Sequence, residues 1–341
     1  MTRLSLYRTY RPRTFAEVMG QEPIVSALTA QIEAGSVAHA YLFAGSRGLG
    51  KTSVARIFAR ELGVTEKDLY EIDAASHTGV DHIRTLTENV YTLPFESPYK
   101  CYILDEAHML SKGAWNAFLK TLEEPPAHAL FILATTELSK VPETVQSRCQ
   151  VFEFRKPSRA GLTKLIAHIA KKEGYTLGGG VAELVALLAD GSYRDALSVL
   201  ERVFAVSKDK KIERVEAEQA TGAPRAALVL ALIEACHAGD TEKALVAIRR
   251  AAEGGADMAL YLTLVLEAMR SVLLIRHAKE LRGALETELG EEYAPLYAVA
   301  ESTDSKLTHA TLAAFIEAAS RMRYASVPAL PLELAVLSCY S

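Results

Sequence analysis

The residues best suited to chemistry in this sequence lie in one glycine-rich stretch, residues 41–53, which reads YLFAGSRGLGKTS. It has the spacing G-x-x-x-x-G-K-[ST], between an apolar run and a segment of helical periodicity, as a phosphate-binding loop requires. Glycines let successive N–H groups point at a phosphate, and the following helix adds its positive end. The alternative, a glycine-rich turn with an incidental lysine, is disfavoured by the flanking elements. The residues predicted to hold the nucleotide are Gly45, Ser46, Gly48, Leu49, Gly50, Lys51, Thr52 and Ser53.

Two residues of this loop and a nearby acidic pair supply the expected chemistry. Lys51 would reach the β- and γ-phosphates, and the Thr52 hydroxyl would hold Mg²⁺. Asp105 and Glu106 directly follow the apolar run CYIL, and a carboxylate at a strand tip beside a phosphate loop can hold Mg²⁺. We assign Asp105 to the metal and Glu106 to polarising a water for in-line attack on the γ-phosphate. A solvated acidic turn is the alternative for this pair, and His108 is left without a role.

Three further polar residues are candidates for sensing the γ-phosphate. Thr136 ends another apolar run and could bond the attacking water, although a threonine at a strand end is commonly structural. Arg148 is either a surface residue or a cation that reaches the nucleotide of a neighbouring subunit, where such an arginine accelerates hydrolysis roughly 10³–10⁵-fold. Arg194 would touch the γ-phosphate if a helical domain folds over the nucleotide, or would pair with Asp195 or Glu201. The residues alone leave these choices open.

Short apolar runs alternate with helical stretches through the first 157 residues. This alternation is typical of a parallel sheet with helices on both faces, and hence of an α/β fold. A phosphate loop at the carboxyl end of the first strand lies where such sheets bind ligands. The predicted strands are 41–44, 69–74, 101–104, 130–134 and 150–154, and the predicted helices are 21–34, 54–62, 79–91 and 112–122.

Beyond Pro157 the pattern is helical, with no convincing strand. A small helical lid domain is predicted first, then a polar exposed segment at 207–214, and then an all-helical collar domain. The predicted helices are 158–173, 181–189 and 193–206 in the lid and 226–238, 241–253, 258–283, 293–303 and 308–322 in the collar. The predicted domains are therefore 1–157 for nucleotide binding, 158–221 for the lid and 222–341 for the collar.

Composition limits the class of protein. A formal net charge of −4 argues against bulk electrostatic coating of nucleic acid, so any DNA contact has to come from a local basic surface or from helix ends. The four cysteines lie far apart without a C-x-x-C pair, which disfavours a zinc site and is typical of reduced thiols in the cytoplasm. We find no signal-peptide core and no apolar run long enough to cross a bilayer, so we expect no membrane association.

Together these motifs resemble the AAA+ ATPases of sliding-clamp loaders, most closely the gamma/tau family of bacterial DNA polymerase III. The resemblance covers almost all of the first two predicted domains, whereas the third matches mainly in helical character and length. The matching stretches are LYRTYRP (6–12) with GQE (20–22) behind it, HAYLFAGSRGLGKTSVARIFA (39–59), EIDAAS (71–76), YILDEAHMLSKGAWNAFLKTLEEPP (102–126), FILATTELSKVPETVQSRCQVFEF (131–154) and GSYRDALS (191–198).

The resemblance implies an ATP-hydrolysing subunit that uses ATP and Mg²⁺. It implies that Lys51 and Thr52 bind phosphate and Mg²⁺, that Asp105 and Glu106 are the Walker B pair, and that Thr136 is the first sensor. These roles agree with those assigned from the residues alone.

The resemblance also settles choices that the residues left open. It implies that Arg148 is the finger that acts in trans and that Arg194 is the second sensor. It implies further that Tyr7, Arg8 and Arg11, which could otherwise form a frayed tail, line the adenine side of the pocket.

The sequence departs from the family pattern in two places. Family members usually insert a four-cysteine zinc module before EIDAAS, whereas only residues 63–68 fill that space here, so we predict no zinc. The segment 76–80 carries few positive charges, which leaves Arg84 as a candidate DNA contact. The sequence ends with the third predicted domain, as a short form or a truncated tau-like chain would.

The function expected from this resemblance is opening the sliding clamp and loading it onto primer–template DNA. The expected partners are the delta and delta-prime subunits, further gamma/tau copies, the clamp and the DNA, in the cytoplasm. One alternative is a non-hydrolysing stator like the delta-prime subunit, which the intact phosphate loop disfavours. Another is a related AAA+ motor, such as a Holliday-junction helicase or a replication factor C small subunit.

Overall fold

The computed structural model describes residues 5–76, 79–207 and 209–340, so His77 and Thr78 of the segment 76–80 lie outside the described residues. The chain divides into two compact units, one comprising the residues up to Gly161 together with Ala189–Ser198, the other Leu162–Leu188 and the residues from Val199 onward. The first unit contains the strands β1 (Ala40–Ala44), β2 (Leu69–Asp73), β3 (Lys100–Asp105), β4 (Ala129–Thr135) and β5 (Gln150–Glu153). Its helices are α1 (Leu6–Thr9), α2 (Glu22–Glu33), α3 (Lys51–Glu61), α4 (Val80–Val90), α5 (Lys112–Glu123) and α6 (Glu143–Gln146).

The five strands form one parallel sheet in the order β2-β3-β4-β1-β5. The strands β1, β4 and β3 are parallel, so their carboxyl ends lie at the same edge of the sheet, and they are neighbours because β4 lies between β1 and β3. Ala44 at the end of β1 pairs with Thr135 at the end of β4. The predicted parallel α/β architecture is confirmed, and the edge that it provides carries the candidate site.

Both faces of the sheet are covered, as the alternation along β1 shows. Ala40 and Leu42 pack into a core that α4 and α5 complete. Tyr41 and Phe43 point to the opposite face and pack into a second core with α2 and α3. All of β1 is buried, as expected of a central parallel strand. Each predicted strand and helix of this unit is found to within a few residues, whereas the short helices α1 and α6 were not predicted.

The second unit contains a short parallel strand pair that sequence reasoning missed. The strands β6 (Thr176–Leu177) and β7 (Lys211–Ile212) pair with each other. The prediction of no strand after Pro157 was therefore wrong. In the segment 207–214, predicted to be polar and exposed, residues 209–211 are exposed, but Ile212 is fully buried. The helices nearby are α7 (Arg159–Lys172), α8 (Val181–Leu188), α9 (Tyr193–Val206), which begins in the first unit, and α10 (Arg214–Thr221), which was not predicted.

The rest of the second unit is a helical bundle around one long helix. Its members are α11 (Ala226–Ala238), α12 (Thr241–Glu253), α13 (Met258–His277), α14 (Arg282–Leu289), α15 (Tyr293–Glu301), α16 (His309–Arg321) and α17 (Leu330–Tyr340). The single helix predicted over 258–283 is wrong, because Ala278 leaves the helical conformation. The side chain of Arg282 then donates to the carbonyl of Ile275 at 2.8 Å, which caps the end of α13. Neither α14 nor α17 was predicted.

One helix among the described residues, α13, has the length and apolar composition to cross a membrane, with a mean hydropathy of 1.8. Glu267 and Arg270 interrupt its apolar run. Its buried side chains, such as Tyr261 and Val265, belong to the core of the bundle, where α13 contacts α11, α15 and α16. These contacts are those of the central helix of a packed bundle.

Candidate active site

The predicted phosphate loop lies between β1 and α3. Gly45, Gly48 and Gly50 have φ angles of 144°, 77° and 94°, which only glycine adopts readily. A Cβ atom on Gly45 would lie 2.7 Å from the backbone oxygen of Phe154. The φ angles of these glycines give the loop the curved backbone that anion binding requires. Gly50 is the N-cap residue of α3. Ser46 is exposed, whereas Leu49 is buried in the core beneath the loop, so Leu49 offers a ligand only its backbone.

Lys51 is the first residue of α3, and its side chain bonds back to the start of the phosphate loop. Its Nζ donates to the carbonyl oxygens of Gly45 at 2.6 Å and Ser46 at 2.9 Å. Burial lowers the pKa of Lys51, while the nearby carboxylates of Glu106 and Asp105 act in the opposite direction. A buried ammonium held by two carbonyls is ready to exchange them for phosphate oxygens.

Thr52 and Asp105 bring oxygen atoms together where a cation would be needed. The Thr52 hydroxyl donates to Asp105 Oδ2 at 2.8 Å, although 53 residues separate the two in sequence. A hydroxyl and a carboxylate are hard oxygen donors, the kind that Mg²⁺ prefers. The residues present therefore fit the ion that the sequence predicts.

Glu106 is held in an unusual backbone conformation at this edge. Its φ of 48° and ψ of 43° lie in the left-handed region, which costs a residue other than glycine about 1–3 kcal/mol. Its backbone N–H donates to Asp105 Oδ1 at 3.0 Å, and the Thr136 hydroxyl donates to its Oε2 at 3.1 Å. The structure thus brings Asp105, Glu106 and Thr136 together, and Glu106, the residue assigned to activate the water, has a strained backbone.

The segment that carries Arg194 packs against the phosphate loop. The backbone N–H of Tyr193 donates to the carbonyl of Gly48 at 3.1 Å. The Arg194 guanidinium lies over the ring of Tyr7, 4.8 Å from its centroid. Ser192, 6% exposed, caps this helix by accepting from the N–H of Asp195 at 3.2 Å. Sequence reasoning did not assign Ser192 or Tyr193, because their contacts with the loop depend on tertiary packing.

The amino-terminal arm reaches the site through two of its three predicted residues. Arg11 Nε donates to Ser53 Oγ at 2.9 Å, and burial, with Arg56 acting in the same direction, lowers the Arg11 pKa. Tyr7 contacts Arg194 as described, and hydrogen bonding from Arg8 lowers the Tyr7 pKa. Arg8 is exposed, and its described contact is with Tyr7, 3.2 Å from Nε to the hydroxyl.

A cavity of about 640 Å³ lies beside this arm. Its walls combine apolar and aromatic side chains, as ligand-binding pockets commonly do. Tyr193 closes one side of it by donating its hydroxyl hydrogen to the carbonyl of Met19 at 2.7 Å. The lining includes Phe15, Val18, Met19, Val25, Pro157 and Tyr193.

Arg148 lies in a different environment from the other candidates. Its Nη2 donates to Glu123 Oε1 at 2.6 Å and its Nη1 to the carbonyl of Thr144 at 2.6 Å. About a third of the side chain is exposed. Within the described part of the chain these contacts hold the guanidinium at the carboxyl end of α5 and not at the phosphate loop. Its assignment as a finger acting in trans stays a prediction.

Comparison with known proteins gives the relationships of the chain. The model of the family "DNA polymerase III subunits gamma and tau domain III" matches residues 212–341, and that of "DNA polymerase III, delta subunit" matches residues 63–158. DNA polymerase III subunit tau of Bacillus subtilis is 39% identical over 308 residues, covering 84% of this chain and 54% of the relative. The tau subunit of Escherichia coli is 36% identical over 292 residues, covering 80% of this chain and 45% of the relative.

The chain belongs to the DNA polymerase III gamma/tau family. It spans about half the length of the curated gamma/tau relatives that it matches. The Holliday junction branch migration motor RuvB of Thermotoga maritima shares the fold, with a TM-score of 0.53 and 20% identity over 85% of this chain and 90% of that chain. The fold is therefore the AAA+ fold, in which this gamma/tau family member carries the loop and acidic pair described above.

One residue of the loop allows a test of how closely the Arg194 segment packs. Gly48 has a φ of 77°, and a Cβ atom there would lie 2.0 Å from Ser192 Oγ. We expect Gly48→Ala to lower the free energy of unfolding by about 1–3 kcal/mol, because alanine rarely adopts this φ, and to weaken nucleotide binding, because Ser192 has to move. Gly35→Ala is the matched control, since Gly35 has a φ of 62° but no atom within 4 Å of its Cβ position. Urea unfolding and nucleotide titration measure both effects; equal nucleotide affinity in the two variants would contradict the packing argument.

Proposed function

We propose that this gamma/tau family member is an ATP-hydrolysing motor subunit of the DNA polymerase III clamp loader, which opens the sliding clamp and loads it onto primer–template DNA. The observation that supports this most strongly is that Lys51, Thr52, Asp105, Glu106 and Thr136 meet at one edge of the sheet. These are the groups that phosphoryl transfer from ATP requires: a cation, a metal site, a base and a hydroxyl.

Binding of ATP would begin at the phosphate loop. The amides of the loop and the start of α3 would cradle the phosphates, and Lys51 would exchange its two carbonyl partners for phosphate oxygens. Thr52 and Asp105 would hold Mg²⁺, which neutralises phosphate charge when it is bound. Tyr7, Arg8 and Arg11 would lie on the adenine side.

Hydrolysis would use Glu106 and Thr136. Glu106 would take a proton from a water as the water oxygen attacks the γ-phosphorus, while the bond between that phosphorus and the bridging oxygen of ADP breaks. Thr136, which now donates to Glu106, can donate instead to the water or to a γ-phosphate oxygen.

Arg148 would make hydrolysis depend on assembly, and Arg194 would add a second cation from the same chain. Arg148, whose side chain is about a third exposed and contacts Glu123 at the end of α5, would complete the nucleotide site of a neighbouring subunit. Arg194 would contact the γ-phosphate from the segment that packs on Gly48. The proposed partners are delta, delta-prime and further gamma/tau subunits, the sliding clamp and primer–template DNA, in the cytoplasm. That the chain binds no zinc remains a prediction from its sequence.

The test is to measure ATP binding and clamp-dependent ATP turnover for the wild type and Lys51→Ala in a reconstituted loader. We expect Lys51→Ala to weaken ATP binding about tenfold to a hundredfold, since hydrogen bonds to a charged group contribute about 1.5–3 kcal/mol. Turnover should be lost with it. Lys67→Ala is the control, because Lys67 is an exposed lysine that pairs with Glu96. A wild-type chain that binds no ATP would overturn the proposal.

A non-hydrolysing stator is the second candidate, because the delta-subunit family model matches residues 63–158. A stator would keep the fold and Arg148 but would not turn over ATP. ATP binding by the wild type without turnover in the assembled loader would favour the stator.

A further inference from the structure

His108 is a buried polar residue beside the candidate active site that has no assigned role. It lies in the turn Ala107–Met109, directly after the acidic pair, and its side chain is 7% exposed. Its Nδ1 lies 3.2 Å from Thr135 Oγ1 and 3.5 Å from Glu106 Oε2, and its Nε2 lies 3.5 Å from Glu137 Oε1. The ring therefore stands between the end of β4 and the carboxylate assigned to the water.

The contacts of Thr135 determine which ring nitrogen carries the proton in the neutral form. The Thr135 hydroxyl is fully buried and accepts the backbone N–H of Glu137 at 3.1 Å. Its own hydrogen needs an acceptor, and His108 Nδ1 is at hydrogen-bonding distance. Nδ1 is then the acceptor, and the hydrogen on Nε2 faces the Glu137 carboxylate. This tautomer satisfies Thr135 and Nδ1, and it places the protonated Nε2 3.5 Å from a carboxylate oxygen that favours it.

In this tautomer His108 cannot donate a hydrogen bond to Glu106. Nδ1 lies 3.5 Å from Glu106 Oε2 and carries no hydrogen, so these two acceptors cannot bond with each other, and the Thr136 hydroxyl donates to that oxygen at 3.1 Å. His108 thus fixes the end of β4 through Thr135, and with it the neighbouring Thr136, while giving Glu106 no competing donor. The carboxylate is held by one hydroxyl that can turn to another acceptor.

We propose that His108 is a positioning residue for hydrolysis: as an acceptor for Thr135, it sets the place from which Thr136 holds and releases Glu106. This inference rests on the proposed ATPase function. Glu137 completes the arrangement by facing the Nε2 hydrogen, and Glu137 is itself held by Lys140 at 2.8 Å.

The experiment compares His108→Leu with His108→Asn in the assembled loader with clamp and primed DNA. Leucine fills the space without an acceptor, whereas the Oδ1 of asparagine can accept from Thr135 in place of Nδ1. We expect His108→Leu to lower kcat about tenfold to a hundredfold with KM for ATP unchanged. His108→Asn should recover most of that loss. The midpoint of thermal unfolding and the Kd for ATP, measured for each variant, separate an effect on the reaction from an effect on folding.

His128→Leu is the matched control. His128 precedes β4 at its opposite end and contacts the carbonyl of Val90 at 3.0 Å, so its loss should leave kcat unchanged. Equal kcat values for His108→Leu and His108→Asn, whether both high or both low, would overturn the positioning role. A wild-type loader without ATP binding would instead overturn the proposed function, so the two failures are distinguishable.

Discussion

Replacing Arg148 with alanine is expected to lower ATP turnover about 10³–10⁵-fold at each site that is completed by another copy of this chain. The physical reason is that a guanidinium supplied by the neighbour offsets charge that develops on the γ-phosphate in the transition state. Steady-state and single-turnover hydrolysis by the assembled loader, with clamp and primed DNA, measure the effect. ATP binding by the same chain should not change, because Arg148 contacts Glu123 and Thr144 and not its own phosphate loop among the described residues.

The ion pair of Arg148 allows a clean control. Both side chains of the pair with Glu123 are at least a third exposed, so the pair contributes little to stability. Glu123→Gln removes the negative charge of this partner and keeps the guanidinium, and we expect it to turn over ATP at nearly the wild-type rate. An Arg148→Ala loader with full activity would remove Arg148 from the mechanism.

Glu106→Gln is expected to lower kcat about 10²–10⁴-fold while ATP binding persists. Glutamine has the shape of glutamate, and its side-chain oxygen can still accept from Thr136, but it cannot take a proton from the attacking water. The variant should therefore trap ATP in the loader. Quenched-flow measurement of hydrolysis, together with the amount of ATP bound at equilibrium, separates the two steps.

Glu124→Gln provides the comparison, because Glu124 is an exposed carboxylate just past the end of α5. It should hydrolyse ATP like the wild type. Wild-type kcat in Glu106→Gln would show that another group activates the water.

The sheet and the phosphate loop could be predicted because their determinants are local. The glycine spacing before Lys51 fixes the loop, and wholly apolar runs such as 101–104 identify buried parallel strands. The strand order was not readable from the sequence, since it depends on which strands pair. Once β4 lies between β1 and β3, the contacts of Thr52 with Asp105 and of Thr136 with Glu106 follow.

The secondary-structure predictions were wrong at positions where tertiary contacts outweigh the local sequence pattern. Ile212 is one apolar residue in a charged segment, and only pairing with Thr176–Leu177 makes it part of a strand. The periodicity over 258–283 continues past Ala278, where the structure ends α13 and the Arg282 side chain caps it. The helix α17 begins next to prolines, which read as helix breakers but are tolerated in a first turn.

Within the candidate site, the sequence gives residue types but not their state. The sequence does not show that the backbone of Glu106 is in the left-handed region or that Lys51 donates to the carbonyl of Gly45. It also does not show that Ser192 packs on Gly48. Each of these depends on side chains or backbone brought together from distant segments. The role proposed for His108 depends in the same way on Thr135 and Glu137.

The central claim is that ATP bound by the loop of one chain is hydrolysed with help from Arg148 of the next. Its most direct test mixes two inactive variants, Lys51→Ala, which keeps Arg148 but binds ATP poorly, and Arg148→Ala, which binds ATP but lacks the guanidinium. We predict that loaders containing both variants regain clamp-dependent ATP turnover, whereas loaders with either variant alone do not. Mixed loaders that contain both chains by mass and are as inactive as either parent would contradict the claim.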